Sequence, residues 1–152
     1  MVRAIRQGLE PLVRNMCVPD APQLLQLSNI QHLETTIEGT IAEGADILSI
    51  VGALHPTPAV GGVPSKQSRE LIASTEAATR GWYAGPVGWI DRHGNGQFAV
   101  ALRTAITVGH DTRLYAGAGI VSDSQPDLEW EETEWKLNPL LDALGSAAYK
   151  ER

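Results

Sequence analysis

Residues Ala116–Lys136 read AGAGIVSDSQPDLEWEETEWK. A glycine-rich run passes through a short polar stretch into a helix predicted from about Pro126 to about Leu144, where Gly145 stops it. Ser124 is the expected N-cap, and Asp127 and Glu129 complement the positive end of the helix dipole. At about 100° per residue, Glu129, Glu132 and Lys136 fall within about 60° of one another. Trp130, Leu137, Leu140, Leu141 and Leu144 fill the adjoining sector, which is expected to face a core. Glu131 and Glu134 are expected to point to water.

This layout suits a small anion held partly through a divalent metal. Two carboxylates one turn apart match a hard cation such as Mg²⁺. Lys136, a further turn along, offers a point charge to a substrate carboxylate. The same residues also fit an acidic helix start with an exposed Glu132–Lys136 pair at i,i+4 spacing. The AGAG run lets backbone N–H groups approach a ligand, or lets a strand pack closely on its neighbour. It is not a dinucleotide fingerprint, because no helix starts directly after it.

Working outward, Trp82–Ile90, the turn Asp91–Gly96, Gln97–Val108 and Arg113–Val121 read as an antiparallel meander, with His110–Thr112 leading into the last strand. Phe98, Val100, Leu102, Ile106 and Val108 share one strand face, and Ala99, Ala101, Arg103 and Ala105 the other. Arg103 on a face of small residues is placed either to reach a carboxylate bidentately or to meet solvent. Tyr83 either donates a phenolic hydrogen bond or packs. Upstream, residues 2–14 show a helical stripe weakened by Pro11. Gln23–Thr36 reads as a strand and Ala45–Leu54 as a short helix. His55–Pro64 forms a Pro/Gly-rich loop, and Lys66–Arg80 a helix stopped by Gly81.

The chain has 152 residues, 43% hydrophobic and 20% charged, which describes an ordinary globular domain. A net charge of −6 without a basic run disfavours nucleic acid and anionic membrane as partners. An anionic substrate would need a local cation. The single Cys17 excludes an internal disulfide and agrees with a reducing cytosol. No apolar run is long enough for a membrane span, and the N-terminus lacks a secretion-type cleavage site, so a cytoplasmic protein is expected. No Cys/His cluster has zinc spacing, and no Ser/His/Asp grouping forms a triad.

Taken in order, QHL at Gln31–Leu33, LHPTPAVGG at Leu54–Gly62, RGWYAGPVGW at Arg80–Trp89, FAVALRTA at Phe98–Ala105, AGAGIV, and EWEET followed by Lys136 resemble the chorismate-binding enzymes. The HPTPAVGG and GWYAGPVGW forms are similar to the isochorismate synthase branch. Anthranilate and aminodeoxychorismate synthases usually carry a PAGTVSGAPK-like loop instead. The resemblance implies an α/β (α+β) fold: an antiparallel sheet flanked by helices, here an incomplete part of the anthranilate synthase component I-like fold.

By the same resemblance, Glu132 ligates Mg²⁺ and Glu129 contacts the metal, often through water. Arg103 and Tyr83 bind the enolpyruvyl carboxylate of chorismate. Lys136 and the Gly117 and Gly119 backbone surround its carboxylates, and His32 and Ala59 line the pocket. The implied reaction is a reversible isomerisation in which water enters at ring carbon 2 and hydroxide leaves from carbon 4. The family's catalytic base and acid have no match here, so residues 1–152 resemble a C-terminal portion. The isolated chain is then expected to be inactive. Alternatives are a non-catalytic fragment or split subunit that binds a separate N-terminal chain, self-association through exposed sheet edges, or an anthranilate- or salicylate-type synthase.

Overall fold

The computed structural model describes residues 1–26 and 31–145. The elements run α1 (Val2–Leu9), β1 (Val13–Cys17), β2 (Gln23–Gln26), β3 (Gln31–Glu34), β4 (Glu38–Ile41), α2 (Ile47–Leu54), α3 (Pro58–Gly61), α4 (Ser65–Thr75), β5 (Pro86–Ile90), β6 (Gly96–Val100), β7 (Thr104–Val108), β8 (Asp111–Tyr115) and α5 (Pro126–Ala143). The strands pair as four two-stranded antiparallel ladders, β1–β4, β2–β3, β5–β6 and β7–β8, so the mixed fold class expected from the sequence holds. No helix among the described residues is long and apolar enough to cross a membrane.

The chain divides into two compact units. The first comprises Met1–Pro58 and Trp89–Gln97, the second Ala59–Gly88 and Phe98–Arg152, of which 146–152 lie outside the described residues.

In the first unit, α1 ends at Leu9, earlier than the stripe through residues 2–14 suggests. Pro11 cannot continue the hydrogen-bond ladder, and Val13–Cys17 turns instead into a strand against β4. A register shift between Arg14 and Cys17, with Asn15 at φ 51°, absorbs the change of direction. The Gln23–Thr36 strand resolves into β2 and β3, whose register pairs Gln23 with Glu34 and Leu25 with His32. Residues 27–30 of that expectation lie outside the described residues. Helix α2 forms as expected, because Asp46 caps it: its Oδ1 accepts from the Ser49 amide and hydroxyl, both at 2.7 Å.

In the second unit, α4 stops at Thr75, short of Arg80, and Gly81 lies in a later turn at φ 55°. Trp82–Gly85 is turn rather than strand; β5 begins only at Pro86. The expected strand Gln97–Val108 is broken. Ala101–Arg103 leaves the strand conformation, and Arg103 sits at φ 50° in the left-handed region. The two halves therefore serve different hairpins, β6 with β5 and β7 with β8. Beyond Tyr115, the glycine-rich run is irregular rather than strand.

Burial is shallow. Among the described residues the buried apolar side chains are Leu9 and Ala84, and Trp82, Trp130 and Trp135 stand about 70% exposed. Trp130 therefore does not face a core as its wheel position predicts, and Leu144 is exposed too. Leu137, Leu140 and Leu141 are half-buried, and so is Glu134. The helix itself runs as expected from Pro126, passes through Pro139, and ends before Gly145 at φ 67°.

Candidate functional site

The site is built on α5 and the glycine turn before it. Pro126 opens the helix in its first turn, where its missing N–H costs nothing, and Asp127 and Glu129 lie near the positive helix end. Ser124 does not cap this helix. Its hydroxyl instead donates to Glu129 Oε1 at 2.6 Å and accepts from the Val121 amide at 3.0 Å. One oxygen of Glu129 is thereby fixed. The other, Oε2, is buried and accepts no hydrogen bond among the described residues. A buried carboxylate oxygen without a donor is costly unless a cation or a proton donor meets it. A cavity of about 370 Å³, lined by Ala118, Ile120, Ser124, Pro126, Glu129, Trp130 and Thr133, opens beside it.

One turn further along, Glu132 Oε1 lies 2.6 Å from Lys136 Nζ. The same ammonium donates to the Gly117 carbonyl at 3.0 Å, so one side chain ties the helix to the glycine turn. Lys136 is three-quarters buried and Glu132 half exposed. The pair is thus anchored on the lysine side and open on the carboxylate side.

Tyr83 completes the cluster. Its ring stacks on Tyr115 with centroids 5.6 Å apart and an interplanar angle of 18°. Its hydroxyl lies where a side chain on Gly117 would stand: a Cβ there would be 2.6 Å from the oxygen. Glycine is required at that point for close approach. Burial pushes the Tyr83 phenol above its ordinary value, with Arg80 partly opposing. The phenol stays protonated and able to donate.

Arg80 uses all three nitrogens of its guanidinium. Nε donates to the two Glu76 oxygens at 3.1 and 2.9 Å, Nη2 to Glu76 Oε1 at 2.6 Å, and Nη1 to the Val60 carbonyl at 2.7 Å. Its guanidinium lies 6.0 Å from the Tyr83 ring centroid. The hydrogen bond to Arg80 holds the Glu76 carboxyl below its ordinary range, against the opposing effect of burial.

Tyr83, Gly117, Glu132 and Lys136 are thus joined by contact, and Glu129 lies one turn up the same helix. Gly119 lies two residues past Gly117, with open space where a Cβ would project. Arg103 is exposed at the break between β6 and β7. It is linked to Tyr83 through the backbone, because the neighbouring Ala84 amide donates to Ala101 and the Ala101 amide to Gly85, both at 2.8 Å. Ala59 is exposed on α3, directly before Val60. His32 lies exposed on β3 of the first unit, whereas the other candidates belong to the second. Sequence reasoning missed Arg80, Ser124 and Tyr115. The first had a signal, the i,i+4 spacing from Glu76; the second was assigned to capping instead.

The profile of the family described as chorismate binding enzyme matches residues 1–145. This chain belongs to the chorismate-binding enzyme family. It is 49% identical over 127 residues to the isochorismate synthase MenF of Bacillus subtilis, covering 84% of this chain and 27% of that protein. It is 46% identical over 146 residues to a salicylate biosynthesis isochorismate synthase of Pseudomonas aeruginosa, covering 96% and 31%. The fold matches a crystal structure described as a putative 2,3-dihydroxybenzoate-specific isochorismate synthase, DhbC, from Bacillus anthracis. That match has a TM-score of 0.88 at 37% identity and covers 95% of this chain and 39% of that one. Anthranilate synthase component I from Streptococcus pneumoniae also matches, with a TM-score of 0.83 at 27% identity over 90% of this chain and 32% of that one. The chain thus spans about a third of the length of the chorismate-binding enzymes it resembles.

As a metal site this segment offers part of a donor set. No three His, Cys, Asp or Glu side chains converge among the described residues. Glu129 Oε2 fits a hard cation, because it is buried and lacks a donor, whereas one oxygen of Glu132 is already met by Lys136.

Proposed function

We propose that this chain forms the glycine-turn and last-helix side of the chorismate site of a cytosolic, Mg²⁺-dependent isochorismate synthase. The observation that carries the proposal is the double engagement of Lys136, with the Gly117 carbonyl and with Glu132, beside the Tyr83 hydroxyl. Two segments far apart in sequence and one helix meet there, around polar groups suited to a carboxylate. The names of the relatives support an isochorismate synthase; in this reading water adds at ring carbon 2, the carbon 4 hydroxyl is protonated and leaves as water, and the double bonds shift, so that chorismate is isomerised with no net gain of water.

In this reading Tyr83, neutral because it is buried, donates to the enolpyruvyl carboxylate. Arg103 pairs with the same group, Lys136 and the amides near Gly117 and Gly119 meet a second carboxylate, and Ala59 lines the pocket. Glu129 and Glu132 would hold Mg²⁺, which when bound neutralises the ring carboxylate. Neither general base nor general acid is assigned to residues of this chain; the rest of such an enzyme supplies them. The HPTPAVGG loop at residues 55–62 favours water over an ammonia nucleophile.

The test is calorimetric titration of the chain with chorismate, with and without Mg²⁺, paired with chromatographic product analysis. The expected result is saturable binding, strengthened by Mg²⁺, without turnover. Absence of binding would overturn the chorismate site. Isochorismate formed by this chain would overturn the assignment of proton transfer to other segments.

A further inference from the structure

We propose that Arg80 is a positioning residue that holds the Pro58–Gly62 segment and Tyr83 in one fixed relation; this deepens the chorismate-site reading and rests on it only for its binding arm. Arg80 is joined to three things at once. Nη1 holds the Val60 carbonyl at 2.7 Å, Nε and Nη2 hold Glu76 at the end of α4, and the guanidinium lies against the Tyr83 ring. The Arg80 carbonyl also accepts from the Tyr83 amide at 2.9 Å, so the ring and its partner are fixed at both backbone and side chain.

The two groups on either side need such a tie. Val60 lies on α3, a single turn of four residues, too short to be stable by its own hydrogen bonds. Ala59 precedes it and is exposed, so its position depends on where the Val60 carbonyl is held. Tyr83 sits in a turn rather than in β5, without ladder hydrogen bonds of a strand to orient it.

Glu76 has a second effect. It takes the Nε–Nη2 edge of the guanidinium and offsets its charge, while Nη1 is held by the Val60 carbonyl. With its charge offset by Glu76, Arg80 serves to fix its neighbours, and the substrate anion is assigned to Arg103 and Lys136. Lysine cannot take this place, because a point charge does not reach a carboxylate and a carbonyl in two directions at fixed angles.

The experiment compares the full chain with Arg80→Lys by amide hydrogen exchange and by chorismate titration. The expected result for Arg80→Lys is exchange across residues 59–62 faster by about tenfold, the scale of one lost charge-assisted hydrogen bond, with the Thr104–Tyr115 hairpin unmoved. Chorismate affinity should fall by a similar factor. Unchanged exchange in residues 59–62 would overturn the inference, and so would a uniform rise in both regions, which marks a residue needed only for folding. Should Arg80→Lys not fold, Glu76→Gln decides: it keeps the Val60 bond but loosens the guanidinium, so a smaller rise confined to residues 59–62 is expected and an even rise overturns the proposal. If the unaltered chain binds no chorismate, the chorismate site fails while the exchange result still judges Arg80.

Discussion

Lys136 and Gly117, nineteen positions apart, are joined by a 3.0 Å hydrogen bond from ammonium to carbonyl. A helix and an irregular turn are held together by a single side chain that also carries the charge proposed for substrate binding. Lys136→Met keeps most of the volume and removes both donations. Chorismate affinity should fall at least tenfold by titration, and thermal unfolding should show a loss of about 1 kcal/mol, since the lysine is only partly exposed.

The two glycines of the turn should behave differently. A Cβ on Gly117 would stand 2.6 Å from the Tyr83 hydroxyl, whereas at Gly119 nothing lies within 4 Å. Gly117→Ala must displace Tyr83 from its stack on Tyr115 and should cost about 1–3 kcal/mol in denaturant unfolding. Gly119→Ala should remain within about 0.5 kcal/mol of the parent. Equal effects would show that Tyr83 does not rest on the turn.

Glu129 is predicted to carry the response to Mg²⁺. Its Oε1 is held by Ser124, and its Oε2 is buried without a hydrogen-bond partner among the described residues. Glu129→Gln keeps the shape and the Ser124 contact but lowers the charge. Mg²⁺ should then no longer strengthen chorismate binding, while binding without Mg²⁺ changes little. An undiminished Mg²⁺ effect in this variant would move the metal elsewhere.

The pair Glu76–Arg80 gives a pH dependence of known sign. The folded carboxyl titrates below its ordinary value of 4.5, so the folded chain binds fewer protons than the unfolded one in that range. Its contribution is present above about pH 4.5 and is lost as pH falls through the folded value. Glu76 is 40% exposed, so the effect should stay under about 1 kcal/mol. Unfolding followed from pH 6 to pH 3 should show a shallower acid slope for Glu76→Gln than for the parent.

Local signals in the sequence are legible where the chain itself enforces them. The proline at the start of α5 and the glycine after it mark both ends, whereas the Asp46 cap of α2 is seen only in the fold. Glu132 and Lys136 meet because four residues make about one helical turn. Features set by tertiary context were not legible. Nothing local distinguishes Val13–Cys17 from a continuing helical stripe until β4 is there to pair with it. Trp130 was placed in a core by its wheel position, yet a wheel says only which residues share a face, not whether that face is covered. The alternating pattern of Gln97–Val108 hid the break at Ala101–Arg103, because side chains of a strand-like sequence can serve two hairpins in succession. Ser124 had two uses open to its hydroxyl, and only the fold shows that it orients Glu129.

The backbone at Arg103 has one last implication. A φ of 50° is comfortable for glycine and costs other residues about 1 kcal/mol or more. Selection for heat resistance alone would therefore install glycine at this corner. Arg103→Gly should melt a few degrees higher and hold chorismate less well, which would make the corner a place where durability has been given up to aim a positive charge.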